Sequence, residues 1–259
     1  MSRGAIVALT FVASLGPVLV GYLATIRLRI AAESVGVRVP ASRWLYAASI
    51  IVGCIGGLVF GLVFPAEYDR SALRHLLGGE LLSTALATPI SEELGKGALL
   101  LGLYATLQVK TPANGLVLGL AAGSGFAAIE NLLYGVNAYA TGGVDAWLAA
   151  LRIRLAYGTL IHLSASGLFG YLLGVAQGSR RLGWVLAGPV VATGVAVAIH
   201  GGWNLCLYWA GQGDARWAVG SQGVAVVGLT LLIVSLVTQR RALLTRSGSP
   251  LPWEGGARG

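Results

Sequence analysis

Residues 113–138 read ANGLVLGLAAGSGFAAIENLLYGVNA. From Gly115 to Ile129 nothing is charged, and then Glu130 and Asn131 stand side by side. As a helix, an apolar run of this length spans a hydrocarbon core of about 30 Å. An ionisable side chain at such depth costs a few kcal/mol or more, which makes Glu130 a functional candidate by default.

Working outward, six further apolar runs occupy about 5–26, 44–64, 90–108, 155–177, 183–209 and 217–238. Of the 259 residues, 56% are hydrophobic and 11% charged, where a soluble domain carries about 25% charged residues. With a mean hydropathy of +0.76, this composition excludes an ordinary soluble domain. The expected fold is all-α: a polytopic transmembrane helical bundle of about seven or eight helices, one domain over 1–240 with a polar tail at 241–259. The first run is long and lacks a convincing cleavage site, so it reads as a retained helix and not a signal peptide. Gly53, Gly57 and Gly61, and again Gly115, Gly119 and Gly123, recur every four residues, the spacing of closely packed membrane helices. Cys54 and Cys206 fall inside apolar runs, so neither a disulfide nor a Cys-based metal site is expected.

The net charge of +8 sits in short loops, where it reads as a topology determinant and not as a nucleic-acid surface. Residues 71–89 carry Arg74, His75 and Glu80 and suit either an interfacial helix or a poor eighth span. Pro89 marks a boundary, because the residue before a proline is pushed out of the helical region. If 71–89 does not cross, one side of the membrane holds eleven of the 18 basic residues (Arg27, Arg29, Arg38, Arg43, Lys110, Arg180, Arg181 and the tail arginines). The other holds six, Arg3, Arg70, Arg74, Arg152, Arg154 and Arg216, and Lys96 lies within the membrane. That bias favours seven crossings, the N-terminus outside and the C-terminus in the cytoplasm.

Six ionisable residues lie at membrane depth: Glu92, Glu93, Lys96, Glu130, His162 and His200. They stand near the start, end, start and end of successive runs, roughly 5–14 Å from one face at 1.5 Å per residue. Because successive helices alternate in direction, four helices bring these side chains into one layer. Within Ser91-Glu92-Glu93-Leu94-Gly95-Lys96, Glu92 and Lys96 are i,i+4 and can pair on one helix face. That leaves Glu93, or Glu92 itself, as a general base. Two His and a Glu form a familiar catalytic zinc set with a further Glu as base, here Glu130, His162 and His200 with Glu92 or Glu93. Without metal, a Glu and a His can activate water while His200 and Asn204 stabilise the oxyanion. Both readings are hydrolytic. Buried Glu, His and Lys also build proton relays, so a proton-coupled transporter or channel is the alternative. The inverted repeats and broken helices common in transporters do not show in the sequence.

At these residues the chain resembles the PrsW family of intramembrane proteases, distant relatives of the CAAX-type prenyl endopeptidases. The likeness rests on E-E-x-x-K (Glu92, Glu93, Lys96), G-F-A-x-x-E-N (Gly125, Phe126, Ala127, Glu130, Asn131), R-x7-H (Arg154, His162) and H-G (His200, Gly201). The CAAX-type relatives have His where Phe126-x-x-x-Glu130 has Glu, while His200-x-x-x-Asn204 keeps their last motif. The resemblance implies catalytic Glu92, Glu93, Glu130, His162 and His200, supported by Lys96, Asn131, Arg154 and Asn204. It implies a single-pass membrane protein as substrate, typically an anti-sigma factor cut at its extracytoplasmic side.

Overall fold

The computed structural model describes residues 2–33, 43–63, 80–107, 111–179, 181–214 and 216–246. All regular structure among them is helical, in keeping with the all-α expectation. The elements are α1 (Arg3–Ser14), α2 (Gly16–Glu33), α3 (Arg43–Val63), α4 (Glu80–Leu107), α5 (Pro112–Ile153), a π-helical turn (Arg154–Gly158), α6 (Thr159–Gly178), α7 (Leu182–Gly211) and α8 (Arg216–Arg246).

Among the described residues, four helical stretches are long and apolar enough to cross a membrane: Arg3–Arg27, Pro112–Gly178, Leu182–Gly211 and Arg216–Gln239. The expected seven or eight do not emerge on length and composition alone. In α3 only Trp44–Val59 counts as an apolar helix, and α4 carries Glu92, Glu93 and Lys96 in its middle. The stretch Pro112–Gly178 is 67 residues long, about 100 Å if straight, and it folds back on itself. Gly115 lies against Gly170, Gly119 against Ser166, and Gly123 against the His162 backbone. Each pair of numbers adds to 285, so the two arms are antiparallel and their midpoint falls at Gly142–Gly143. Gly143 has φ +70° and ψ −155°, a conformation kept essentially to glycine that costs other residues about 1–3 kcal/mol. The residues between the two apolar runs, read from sequence as a loop, are therefore helical up to this reversal and beyond it.

Three further readings change. Pro89 does not end a helix; α4 runs through it from Glu80. Proline removes one backbone donor, here the one that would serve the Ala85 carbonyl, and membrane helices tolerate such a loss. The rest of the 71–89 segment, with Arg74 and His75, lies outside the described residues. The first run is two helices that break at Leu15, two residues before Pro17, which cannot donate to the preceding turn. Finally, α8 continues to Arg246, past the expected start of the tail; residues 247–259 lie outside the described residues.

The middle of the bundle is α5, whose residues 113–128 are all buried. Against it, α1 and α2 run antiparallel (Gly21 at Ser124, Gly135 at Thr10) and α3 parallel (Gly53 at Ala122, Gly57 at Ile129). Helix α7 is antiparallel to α4 (Gly201 at Leu86, Gly97 at Thr193), to α6 (Gly188 at Ala176) and to α8 (Gly202 at Val224, Gly220 at Cys206). Successive chain passes thus alternate in direction. Large apolar side chains such as Val190, 73% exposed, face outward, as lipid contact requires.

Candidate active site

The glycine seam between α5 and α6 sets the site. Because Gly123 lets the His162 backbone approach α5, a carboxylate two turns further along α5 reaches the His162 ring. Glu130 Oε2 meets His162 Nε2, and the same oxygen pairs with Arg154 Nη2. From α4, Glu93 Oε1 pairs with Lys96 Nζ and lies 2.9 Å from His200 Nδ1 on α7. Lys96 Nζ is also 3.2 Å from His162 Nδ1 and 4.2 Å from the centre of the Phe126 ring. The two imidazoles meet edge to face with centroids 4.9 Å apart. One connected layer therefore joins α4, α5, the π turn, α6 and α7, and all of its ionisable members are buried.

Hydrogen-bond chemistry fixes the ring roles. An ionised carboxylate only accepts and an ammonium only donates. With Glu130 ionised and Lys96 protonated, the ring of His162 would turn Nε2–H to the carboxylate and its Nδ1 lone pair to the ammonium. His200 donates from Nδ1 to Glu93, which leaves its Nε2 lone pair free for chemistry. Glu92 Oε2 is buried, makes no hydrogen bond among the described residues, and lies 3.8 Å from His200 Nδ1.

Two expectations are corrected here. Lys96 bonds Glu93, three residues away, and not Glu92. Positions i+3 and i+4 flank the same helix face, and the tertiary partners His162 and His200 lie on the Glu93 side. Arg154, assigned from sequence to a loop, is buried with 7% exposure and carries Glu130. Asn131 lies beside it, accepting from Arg154 Nε at 3.4 Å. Asn204, half-buried one turn beyond His200, makes no hydrogen bond among the described residues. Two participants were missed, Thr159, which accepts from Asn131 Nδ2 at 3.2 Å, and Trp203, whose ring lies 5.6 Å from the Arg154 guanidinium; Tyr134, one turn beyond Glu130, flanks the same group at 4.3 Å. Only the Arg154-to-His162 spacing in the sequence hinted at any of this.

The described helices run on past the apolar segments on this side of the layer. Glu93 stands 13 residues after Glu80, Glu130 12 before Gly142, and His200 11 before Gly211. That is about 17–20 Å from those helix ends, because the helices outrun the apolar segments.

A protein-family model described as PrsW family intramembrane metalloprotease matches residues 41–237, which contain every member of the layer. The chain belongs to this family. It is an intramembrane protease. No curated protein and no solved structure matches the chain. The PrsW-family match begins just before α3, so α1 and α2 precede it.

The donor set of this PrsW-family site fits a divalent ion. Glu92, Glu93, His162 and His200 are all buried and offer one ligand atom each, all within 4.8 Å of one another. Imidazole with carboxylate suits zinc, and Glu92 Oε2 is a buried oxygen still without a hydrogen-bond donor. The Lys96 ammonium supplies the positive charge among these groups. Glu130, expected as a ligand, is turned to Arg154 and to the far nitrogen of His162, outside this group.

Proposed function

We propose that the protease hydrolyses a peptide bond in a single-pass membrane protein, with Glu92 as general base. One observation carries this reading: a buried carboxylate oxygen, Glu92 Oε2, without a hydrogen-bond donor among the described residues, beside a histidine oriented by a second carboxylate. Glu92 takes a proton from the attacking water and returns it to the departing amine nitrogen as the bond breaks. Lys96, held between Glu93 and His162, offsets negative charge on the carbonyl oxygen, and Asn204, one helical turn beyond His200, adds a donor. Glu130 at His162 Nε2 and Glu93 at His200 Nδ1 orient the two rings, as carboxylates do for a ligand or acid–base histidine.

Zinc would be held by His162 and His200 with Glu92 or Glu93, and would supply Lewis acidity and an activated water. Purified protein should then retain about one zinc per chain and lose cleavage on chelation. Absence of any stoichiometric divalent ion, with chelator-resistant cleavage, would leave the metal-free version.

We place the chain in the cell membrane with seven crossings, the N-terminus outside and the C-terminus in the cytoplasm. The alternating helix directions support this count. With Arg154 inside the bundle, the basic residues divide eleven to five, which strengthens the bias. The layer then opens toward the extracytoplasmic side, which suits the anti-sigma factor class that the family resemblance suggests. The test is cleavage of a co-reconstituted single-pass substrate by Glu92→Gln and His200→Ala. Both should lose activity by about 10²-fold or more; undiminished cleavage would reject the assignment.

A further inference from the structure

Between α5 and α6 the helix makes one π turn, Arg154–Gly158, a feature that takes up an extra residue and recurs at functional sites. Arg152 and Ile153 just before it are exposed, whereas Arg154 points into the bundle. We infer that this turn aims Arg154 at Glu130 and makes it a positioning residue, acting through Glu130 on the ring of His162; the inference rests on the site reading above.

The contacts form a closed circuit. Arg154 Nη2 pairs with Glu130, and its Nε donates to Asn131 Oδ1 at 3.4 Å. Asn131 Nδ2 donates to Thr159 Oγ1 at 3.2 Å, and that hydroxyl donates back to the Arg154 carbonyl at 3.2 Å. The π turn provides the partner, since Thr159 directs both its backbone N–H and its hydroxyl to this carbonyl. Tyr134 and Trp203 close over the guanidinium from two sides. A Cβ at Gly158 would sit 3.3 Å from Arg154 Nε and Cζ, so a larger residue there presses on the guanidinium itself. Arg154 touches none of the groups facing the reaction. It holds the carboxylate that engages His162 Nε2, and so decides that Nδ1 is the nitrogen facing Lys96 and the rest of the layer.

A purely structural ion pair would not control which ring nitrogen carries the proton, and that is measurable. The chain has three histidines, so ¹⁵N-histidine labelling of the full chain gives few imidazole signals, and His162→Gln identifies the one that belongs to His162. In the wild type, His162 should report a proton on Nε2. Arg154→Ala should give a mixture of ring tautomers and lower cleavage by about 10–100-fold, the usual effect of losing a group behind a ligand or acid–base histidine. Arg154→Lys, which keeps the charge without the planar fork, and Gly158→Ala should shift the same signal less. They remain informative if Arg154→Ala does not fold.

An unchanged Nε2–H signal in all three variants overturns the inference, whether cleavage is lost, as for a substrate contact, or kept, as for a bystander. Failure of the site reading itself looks different: Glu92→Gln would cleave normally, while the His162 signal would still respond to Arg154.

Discussion

Glu92 and Glu93 are adjacent in sequence and opposite in circumstance. Glu93 is saturated by Lys96 and His200, while Glu92 keeps a buried oxygen without a hydrogen-bond donor among the described residues. Replacing Lys96 by Met strands the Glu93 charge in the bundle, which should cost about 3–5 kcal/mol in a thermal or denaturant melt. The Lys96→Met/Glu93→Gln double variant should recover much of that loss. Equal stability of Lys96→Met and wild type would show that the pair carries no buried charge. Most of these residues were legible because an ionisable group inside an apolar run is conspicuous. Their pairing was not. The i,i+3 and i,i+4 partners of Lys96 differ only in which neighbouring helix they face, and a single helix does not contain that information. Arg154 was expected as a supporting residue but counted with a loop, because two arginines flanking an apolar run resemble one and a π turn has no sequence signature of its own.

At the level of helices, the α5–α6 hairpin decides the site. The Gly115, Gly119 and Gly123 seam was readable from four-residue spacing, and these glycines do meet backbone of the opposing arm. The reversal was not readable, because Gly142-Gly143 sits in a polar stretch that serves a loop equally well. Gly119→Leu should separate the arms and destabilise by about 1–3 kcal/mol or more, with cleavage falling alongside. Gly143→Ala should cost about 1–3 kcal/mol through its positive φ, with a smaller loss of cleavage because the site lies 12 residues away from Gly142. A stabilising effect of Gly119→Leu in a melt would contradict the close approach of the two arms.

For the molecule as a whole, orientation determines where a substrate is cut. In a background with Cys54 and Cys206 replaced by Ala, a membrane-impermeant thiol reagent should label Thr141→Cys, beside the hairpin reversal, from outside intact cells. Arg181→Cys, at the start of α7, should react only after permeabilisation. The reverse pattern would place the layer toward the cytoplasm and remove the extracytoplasmic assignment. The all-helical class of the fold was visible from composition. Helix α4 does not pass as a membrane span on hydropathy because Glu92, Glu93 and Lys96 interrupt it. The most direct test of where the chemistry occurs is cleavage of a co-reconstituted single-pass substrate by wild type and by Glu92→Gln of equal thermal stability. The wild type should cut it and the variant should be slower by about 10²–10⁴-fold. Equal rates would contradict the assignment of peptide hydrolysis to this buried layer.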